Sequence, residues 1–236
     1  ASNCKQRDFK GGTDLVCAVD CRNFREGGEI NGTLQAKESG GQSLNLNNTV
    51  RQNMVVRRLT PLECTRLQGF PDGWVGIGDW TDVKGRVHKE ADAPKYKALG
   101  NSIALPFWRW MFGRMAAYLP EGATLGSLFD GIGVFPLAAV RCGIVPAWAS
   151  EIEKAPISIT KRYFPGMAHL GDVTKLNGGD IPPVHIITFG SPCQNLSQIG
   201  NRAGLAGEKS SLFFHAIRII REMREATNGL FPAIAV

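Results

Sequence analysis

A lone cysteine follows a strand-like run at one point in this chain, and that arrangement suits nucleophilic chemistry. His185–Phe189 ("HIITF") leads through Gly190 and Ser191 into Pro192, Cys193 and Gln194, and a stretch rich in Gly, Asn and Ser comes next, "NLSQIGNRAGLAG". In open α/β sheets chemistry gathers just past the carboxyl ends of the strands, which is where this thiol falls. Pro192 restricts the backbone ahead of it. No histidine follows closely and His185 lies inside the strand, so a protease-like Cys/His pair is poorly supported. Taken alone, Cys193 reads more readily as a buried structural thiol, because free cysteine is a common core residue.

A second group surrounds "LFDGIGVFPLAA" (Leu128–Ala139). A strand, a loop holding Gly131 and Gly133, and a helix start make a place where bare backbone can approach a nucleotide-like ligand. Two glycines alone fit a structural turn equally well. Glu151 strengthens the ligand reading: it ends the next strand about twenty residues on, where an acid can accept hydrogen bonds from both hydroxyls of a ribose. The third glycine of the dinucleotide fingerprint is missing, since Phe135–Leu137 occupies that region. This argues against a pyrophosphate and for a smaller adenosine ligand. Asp172, in "HLGDV", can read an adenine amino group or cap a helix. Gly100-Asn101-Ser102 can hold a carboxylate on loop amides, or be an ordinary helix cap.

The elements that must position these residues follow from pattern. After the short linker "YLPEGATLG" (Tyr118–Gly126), strands are expected at Leu125–Phe129, Ala147–Ser150 and His185–Phe189, with Ala168–Asp172 extended. Helices are expected at Pro136–Cys142, Ala155–Phe164 and Ser211–Ala226. That alternation implies a parallel sheet covered by helices. Upstream, Thr60, Pro61 and Glu63 in "LTPLECTRLQGF" make a capping box that starts a helix ended by Gly69. A further helix is expected from about Pro106 to Leu119, with Phe107, Met111 and Met115 recurring at helical spacing. Residues 1 to about 56 are polar and glycine-spotted. Leu15–Val19 suits a strand and the remainder reads as loops, so a small irregular domain is expected there.

Composition sets bounds. The 236 residues can bury a proper core, and the net charge of +6 leans toward an acidic partner such as nucleic acid. The six cysteines form no CxxC pair, and Cys4, Cys17 and Cys21 lack an obvious fourth ligand, so reduced thiols and no metal site are expected. The most apolar stretch, Ile103–Leu119, contains Pro106, Arg109 and Arg114, which disfavours a membrane span. No charged-then-apolar leader opens the chain, so secretion is unsupported and a cytoplasmic setting is expected.

Together these pieces resemble the DNA (cytosine-5)-methyltransferases over about residues 57–236. "FDGIGV" resembles motif I, "SEIE" motif II, "GDVT" motif III, and "GSPCQNLS" motif IV with its Pro-Cys-Gln. "GEKSSLFFHAIRII" is similar to motif V, "RRLTPLECTRLQGFPDGW" to motif IX and "ALGNSIALP" to motif X. The resemblance implies a Rossmann-like methyltransferase fold of the α/β class with a mostly parallel sheet. It also implies S-adenosyl-L-methionine as cofactor and double-stranded DNA as partner. Cys193, flanked by Pro192 and Gln194, would attack carbon 6 of a flipped cytosine so that carbon 5 takes the methyl group. Phe129, Asp130, Gly131, Ile132, Gly133, Glu151, Ile152, Asp172, Val173, Asn101 and Ser102 would line the cofactor, and Ser197, Gly200, Arg202 and Arg58 would touch DNA. The domains would be 1–56, part of a target-recognition region, and 57–236, the catalytic core.

Two departures stand out. Motifs IX and X precede motif I, whereas the usual order runs from I to X, which reads as a circular permutation. Motifs VI and VIII are not found: neither Glu-Asn-Val, whose glutamate protonates the target ring, nor Gln-x-Arg-x-Arg occurs. The expected explanations are a fragment, a degenerate gene, or a split enzyme whose second polypeptide carries motifs VI to VIII. A different class stays open beside the enzyme: a cofactor- or DNA-binding subunit without chemistry of its own.

Overall fold

A computed structural model describes residues 16–20, 25–28, 49–52, 55–82, 84–191 and 211–236, with side chains from Arg57 onward. The chain forms two compact units, one of residues 1–80 and 87–103 and one of residues 81–86 and 104–236. Among the described residues no helix is long and apolar enough to cross a membrane.

The first unit opens with four strands: β1 (Val16–Asp20), β2 (Arg25–Gly28), β3 (Thr49–Gln52) and β4 (Val55–Arg58). They pair antiparallel in the order β2-β1-β3-β4. The expectation of loops beyond Leu15–Val19 is therefore corrected. These strands are four or five residues long and held by main-chain pairing, so they carry little of the alternation that marks a strand in sequence. Helix α1 (Pro61–Leu67) starts with the expected capping box: Glu63 N donates to Thr60 Oγ1, and Thr60 N donates to Glu63 Oε2 at 2.8 Å. Gly69, at φ +80°, takes the left-handed position after the helix. A hairpin of β5 (Trp80–Thr81) and β6 (Val87–His88) follows, then helix α2 (Asp92–Gly100).

The second unit is the α/β layer structure that the alternation predicts. After α3 (Leu105–Ala116) come β7 (Thr124–Leu128), α4 (Val134–Val140), β8 (Val145–Ser150), α5 (Lys154–Tyr163), β9 (Ala168–His169), β10 (Ile186–Phe189), α6 (Ser211–Ala226) and β11 (Ile234–Ala235). The sheet order is β11-β10-β7-β8-β9, and every neighbouring pair is parallel. The chain moves outward from β7 through β8 to β9, then returns to lay β10 on the other side of β7. β7 and β10 therefore flank the switch point, where ligands bind in open α/β sheets.

Packing fixes that geometry. Trp148 is fully buried with Leu128, Val184 and Ile187 against Ala216, Ile219 and Met223 of α6. Gly126 in β7 lies against the Trp148 ring, and a Cβ there would overlap the indole. The indole N–H donates to Pro182 O at 2.8 Å. Helix α4 packs on β7 and β8, and α3 packs on α4, where Trp108 meets Phe135 edge-on.

Candidate functional site

Beyond Leu128 the chain turns sharply before α4. Three of the next five residues have positive φ: Phe129 at 56°, Gly131 at 58° and Gly133 at 80°. For phenylalanine this conformation costs on the order of 1–2 kcal/mol and persists only where surroundings dictate it. Three hydrogen bonds do so: Asp130 N donates to Ser150 O at 3.0 Å, Gly133 N to Asp130 O at 3.1 Å, and Gly131 N to Glu151 Oε2 at 2.8 Å. The two glycines serve different ends. A Cβ on Gly131 would meet nothing within 4 Å, whereas one on Gly133 would lie 3.0 Å from Thr160 Cγ2 and 3.1 Å from the Phe164 ring. Gly131 thus keeps backbone open to a ligand, and Gly133 lets α5 pack closely.

Glu151 is the fixed point of the site. Its Oε2 accepts from Gly131 N, and its Oε1 accepts from Ile152 N at 2.7 Å and Glu153 N at 2.8 Å. Each carboxylate oxygen has two lone-pair directions, so Oε2 retains one for a ligand hydroxyl. Ile152 beside it is 68% exposed and offers an apolar face at the rim. Of the two roles considered for Asp172, the structure shows the cap. Its Oδ1 accepts from Thr174 N at 2.9 Å and Thr174 Oγ1 at 2.8 Å, capping a 3-10 turn (Val173–Lys175) and holding its pKa down. Oδ2 has no hydrogen bond among the described residues.

Asp130 is unusual. Only 4% exposed, it accepts from Ser127 Oγ through Oδ1 at 2.6 Å, and its buried Oδ2 has no partner among the described residues. Burial pushes its pKa up to about 7; the Ser127 hydrogen bond opposes that shift and the Glu151 charge adds to it. An orphaned carboxyl oxygen beside open backbone, with a fixed acid one hydrogen bond away, fits an adenosine ligand that also carries positive charge. S-adenosylmethionine has that chemistry.

The other expected residues are placed as follows. Ile132 and Val173 are core, at 1% and 5% exposure, and shape the turns from behind. Asn101 and Ser102 belong to the first unit, where they end α2: Asn101 N donates to Lys97 O and Ser102 N to Leu99 O, while Ser102 Oγ is buried without a partner among the described residues. Arg58 is exposed at the end of β4. Phe189 is in register with Leu128, so Gly190 and Ser191 emerge at the same edge of the sheet as the Phe129 turn. Pro192, Cys193, Gln194, Ser197, Gly200 and Arg202 lie outside the described residues. Among the described residues no group of His, Cys, Asp and Glu could hold a metal ion.

Residues that sequence reasoning passed over brace this edge. Ser150 Oγ donates to Gly171 O at 2.6 Å. Arg218 of α6 donates to Leu176 O at 2.8 Å and Val173 O at 3.3 Å, and pairs with Glu222, whose Oε2 accepts from Gly178 N. In sequence, Arg218 and Glu222 look like an ordinary i,i+4 surface pair. Together they fasten the segment after Asp172 to α6.

Comparison with known proteins now decides the family. The profile of the C-5 cytosine-specific DNA methylases matches residues 8–116 and 123–227. The chain belongs to that family. Among curated relatives, this methylase-family chain is 34% identical over 170 residues to a DNA N-6-adenine-methyltransferase of Escherichia phage P1, covering 49% of this chain and 22% of that protein. It is 40% identical over 98 residues to the type II methyltransferase M1.ScrFI of Lactococcus lactis subsp. cremoris (41% and 25% covered). Against M.HhaI of Haemophilus parahaemolyticus it is 35% identical over 97 residues (41% and 29%). The chain thus spans under a third of the length of these relatives. A TehB-like SAM-dependent methyltransferase structure from Corynebacterium glutamicum overlaps 46% of this chain and 71% of its own, at 16% identity and a TM-score of 0.31. The methyltransferase fold is read here from the strand order and the family match.

Proposed function

We propose that this chain is the cofactor-binding and nucleophile-bearing part of a DNA cytosine-5 methyltransferase, with Cys193 as nucleophile. The observation that carries the reading is the carboxyl edge at the switch point. There β7 delivers the open Gly131 turn clasped by Glu151, and β10 delivers the chain two residues short of Cys193. Glu151 would hold the ribose, Ile152 would lie against the adenine, and Asp172 Oδ2 would accept from the adenine amino group. Asn101 and Ser102 are proposed cofactor-binding residues by their likeness to motif X. S-adenosylmethionine supplies a methyl group activated by its sulfonium.

Cys193 as thiolate adds to carbon 6 of a cytosine turned out of the duplex, and the electron pair gained at carbon 5 takes the methyl group. A base removes the carbon 5 proton, the carbon 5–carbon 6 double bond re-forms, and the thiolate leaves. Ser197, Gly200, Arg202 and Arg58 are proposed DNA contacts. The order of the motifs, with IX and X ahead of I, is proposed to be a circular permutation. The 236 residues contain no Glu-Asn-Val, so full turnover is proposed to need that motif from a further polypeptide segment.

Trapping tests this. Duplex DNA containing 5-fluorocytosine, incubated with S-adenosylmethionine and the protein, is expected to give a covalent adduct that Cys193→Ser abolishes. Cofactor binding measured by calorimetry without adduct formation at any target would refute the nucleophile assignment.

A further inference from the structure

Two acids belong to the Gly131 turn, and only one of them has both oxygens hydrogen-bonded among the described residues. Glu151 accepts three backbone N–H groups. Asp130, the residue before Gly131, is buried, with one oxygen on Ser127 and the other on nothing among the described residues. We propose that Asp130 is a specificity-determining residue that distinguishes the positively charged cofactor from its neutral product, S-adenosylhomocysteine. It would do so through a proton that its carboxyl holds while the turn is empty and gives up to solvent when the cation binds. The inference rests on the cofactor reading above.

The groups facing Asp130 support a proton there. From β7 comes the Ser127 hydroxyl, which donates to Oδ1; from the end of β8 comes Glu151, of like charge. Helix α4, which follows the turn, and β10, which flanks β7, carry no ionisable side chain. The first cation beyond Glu151 is Lys154, and it is drawn 3.2 Å from buried Asp82. Burial and a like charge both disfavour ionisation, and they move the carboxyl to near neutral pH. S-adenosylmethionine carries a sulfonium, an ammonium and a carboxylate, net one positive charge. Methyl transfer leaves a thioether with no net charge on the molecule. The cofactor therefore compensates an ionised Asp130 and the product does not, so deprotonation favours the one over the other. Both ligands share the same amino-acid and adenosine parts, so those contacts cancel in the ratio of affinities.

The test is titration calorimetry of the full chain with S-adenosylmethionine and S-adenosylhomocysteine, in two buffers of different ionisation enthalpy. Between pH 6 and 7.5 the preference for cofactor over product is expected to rise roughly eightfold, following the ionised fraction of a group with a pKa near 7. Proton release at pH 7 is expected with the cofactor and not with the product. Asp130→Asn, a neutral isostere, is expected to bind both ligands with a ratio that no longer depends on pH. Ser127→Ala, which removes the hydrogen bond favouring the ionised form, is expected to shift the midpoint upward. A wild-type ratio that stays flat while both ligands bind overturns the proposal and leaves the cofactor reading standing, as does a pH dependence that survives in Asp130→Asn. Failure of both ligands to bind overturns the cofactor reading and this proposal together.

Discussion

Asp130 and Glu63 are carboxyl groups shifted in opposite directions, and the contrast makes a stability prediction. Asp130 keeps its proton up to about pH 7 when folded but loses it near pH 4 when unfolded. The folded state binds more protons between those values, so stability falls as pH rises through that window. Asp130→Asn is expected to melt at a higher temperature than wild type at pH 8 without cofactor, by roughly 2 kcal/mol, with the gap closing toward pH 4. Thermal melts across that range check it. Glu63 has the reverse sign: paired with Arg57 at 2.8 Å and accepting from Thr60, its pKa is lowered to about 2. Its contribution is present above about pH 4.5 and lost as pH falls toward 2. Glu63→Gln is expected to cost about 1 kcal/mol at pH 7 and close to nothing at pH 2. The capping box at Thr60 and Glu63 was legible because its residue types and spacing announce it. Ser127 and the orphan oxygen of Asp130 were not, since nothing in a serine's spacing shows which acid it faces.

Among the elements, Gly126 shows how close packing sets strand register. It sits in the middle of β7, where a glycine would weaken a strand without some compensating contact. The compensation is Trp148 on β8, whose ring lies across the bare Cα. Gly126→Ala is expected to destabilise by about 3 kcal/mol in denaturant unfolding, and pairing it with Trp148→Leu should recover part of that loss. The strands and helices of the second unit were readable because each is a continuous apolar run or a periodic stripe, and α6 fell at its expected bounds. Helix α2 was not expected: it is short, holds Pro94 and has weak apolar periodicity, and Asn101 at its end looked like a turn on its own. The antiparallel sheet of the first unit escaped notice for a related reason. The short connections between its paired strands, Cys21–Phe24 and Asn53–Met54, carry no Asn-Gly or Asp-Gly hairpin signature.

At the scale of the whole chain, the parallel sheet bears on the proposed permutation. The segments that resemble motifs I to III follow β7, β8 and β9, and β10 leads toward Pro192; these strands all run the same way, so their carboxyl ends share one edge whichever segment comes first. The fold class was therefore predictable from alternation alone, while the strands within residues 1–56 were not, because polar glycine-spotted sequence carries no period. A prediction at this scale concerns the missing acid. Adding a polypeptide that supplies the Glu-Asn-Val segment of a family member is expected to raise methyl transfer at least tenfold over this chain alone, read by incorporation of labelled methyl groups, while cofactor affinity stays within about twofold. No gain, with an intact Cys193 adduct, would mean that the proton reaches the ring from elsewhere.

The Glu151 clasp has a consequence for how such sequences change over time. The same carboxylate that is proposed to hold the ribose also anchors the turn after β7 and the first amides after β8. A lineage that ceased to methylate would come under no pressure to keep Cys193, yet any copy still required to fold would keep Glu151. Decay would thus proceed unevenly, erasing the proposed nucleophile by drift while purifying selection preserved the acid that anchors both turns. In diverged relatives, a surviving Glu151 testifies to folding, and a surviving Cys193 to use.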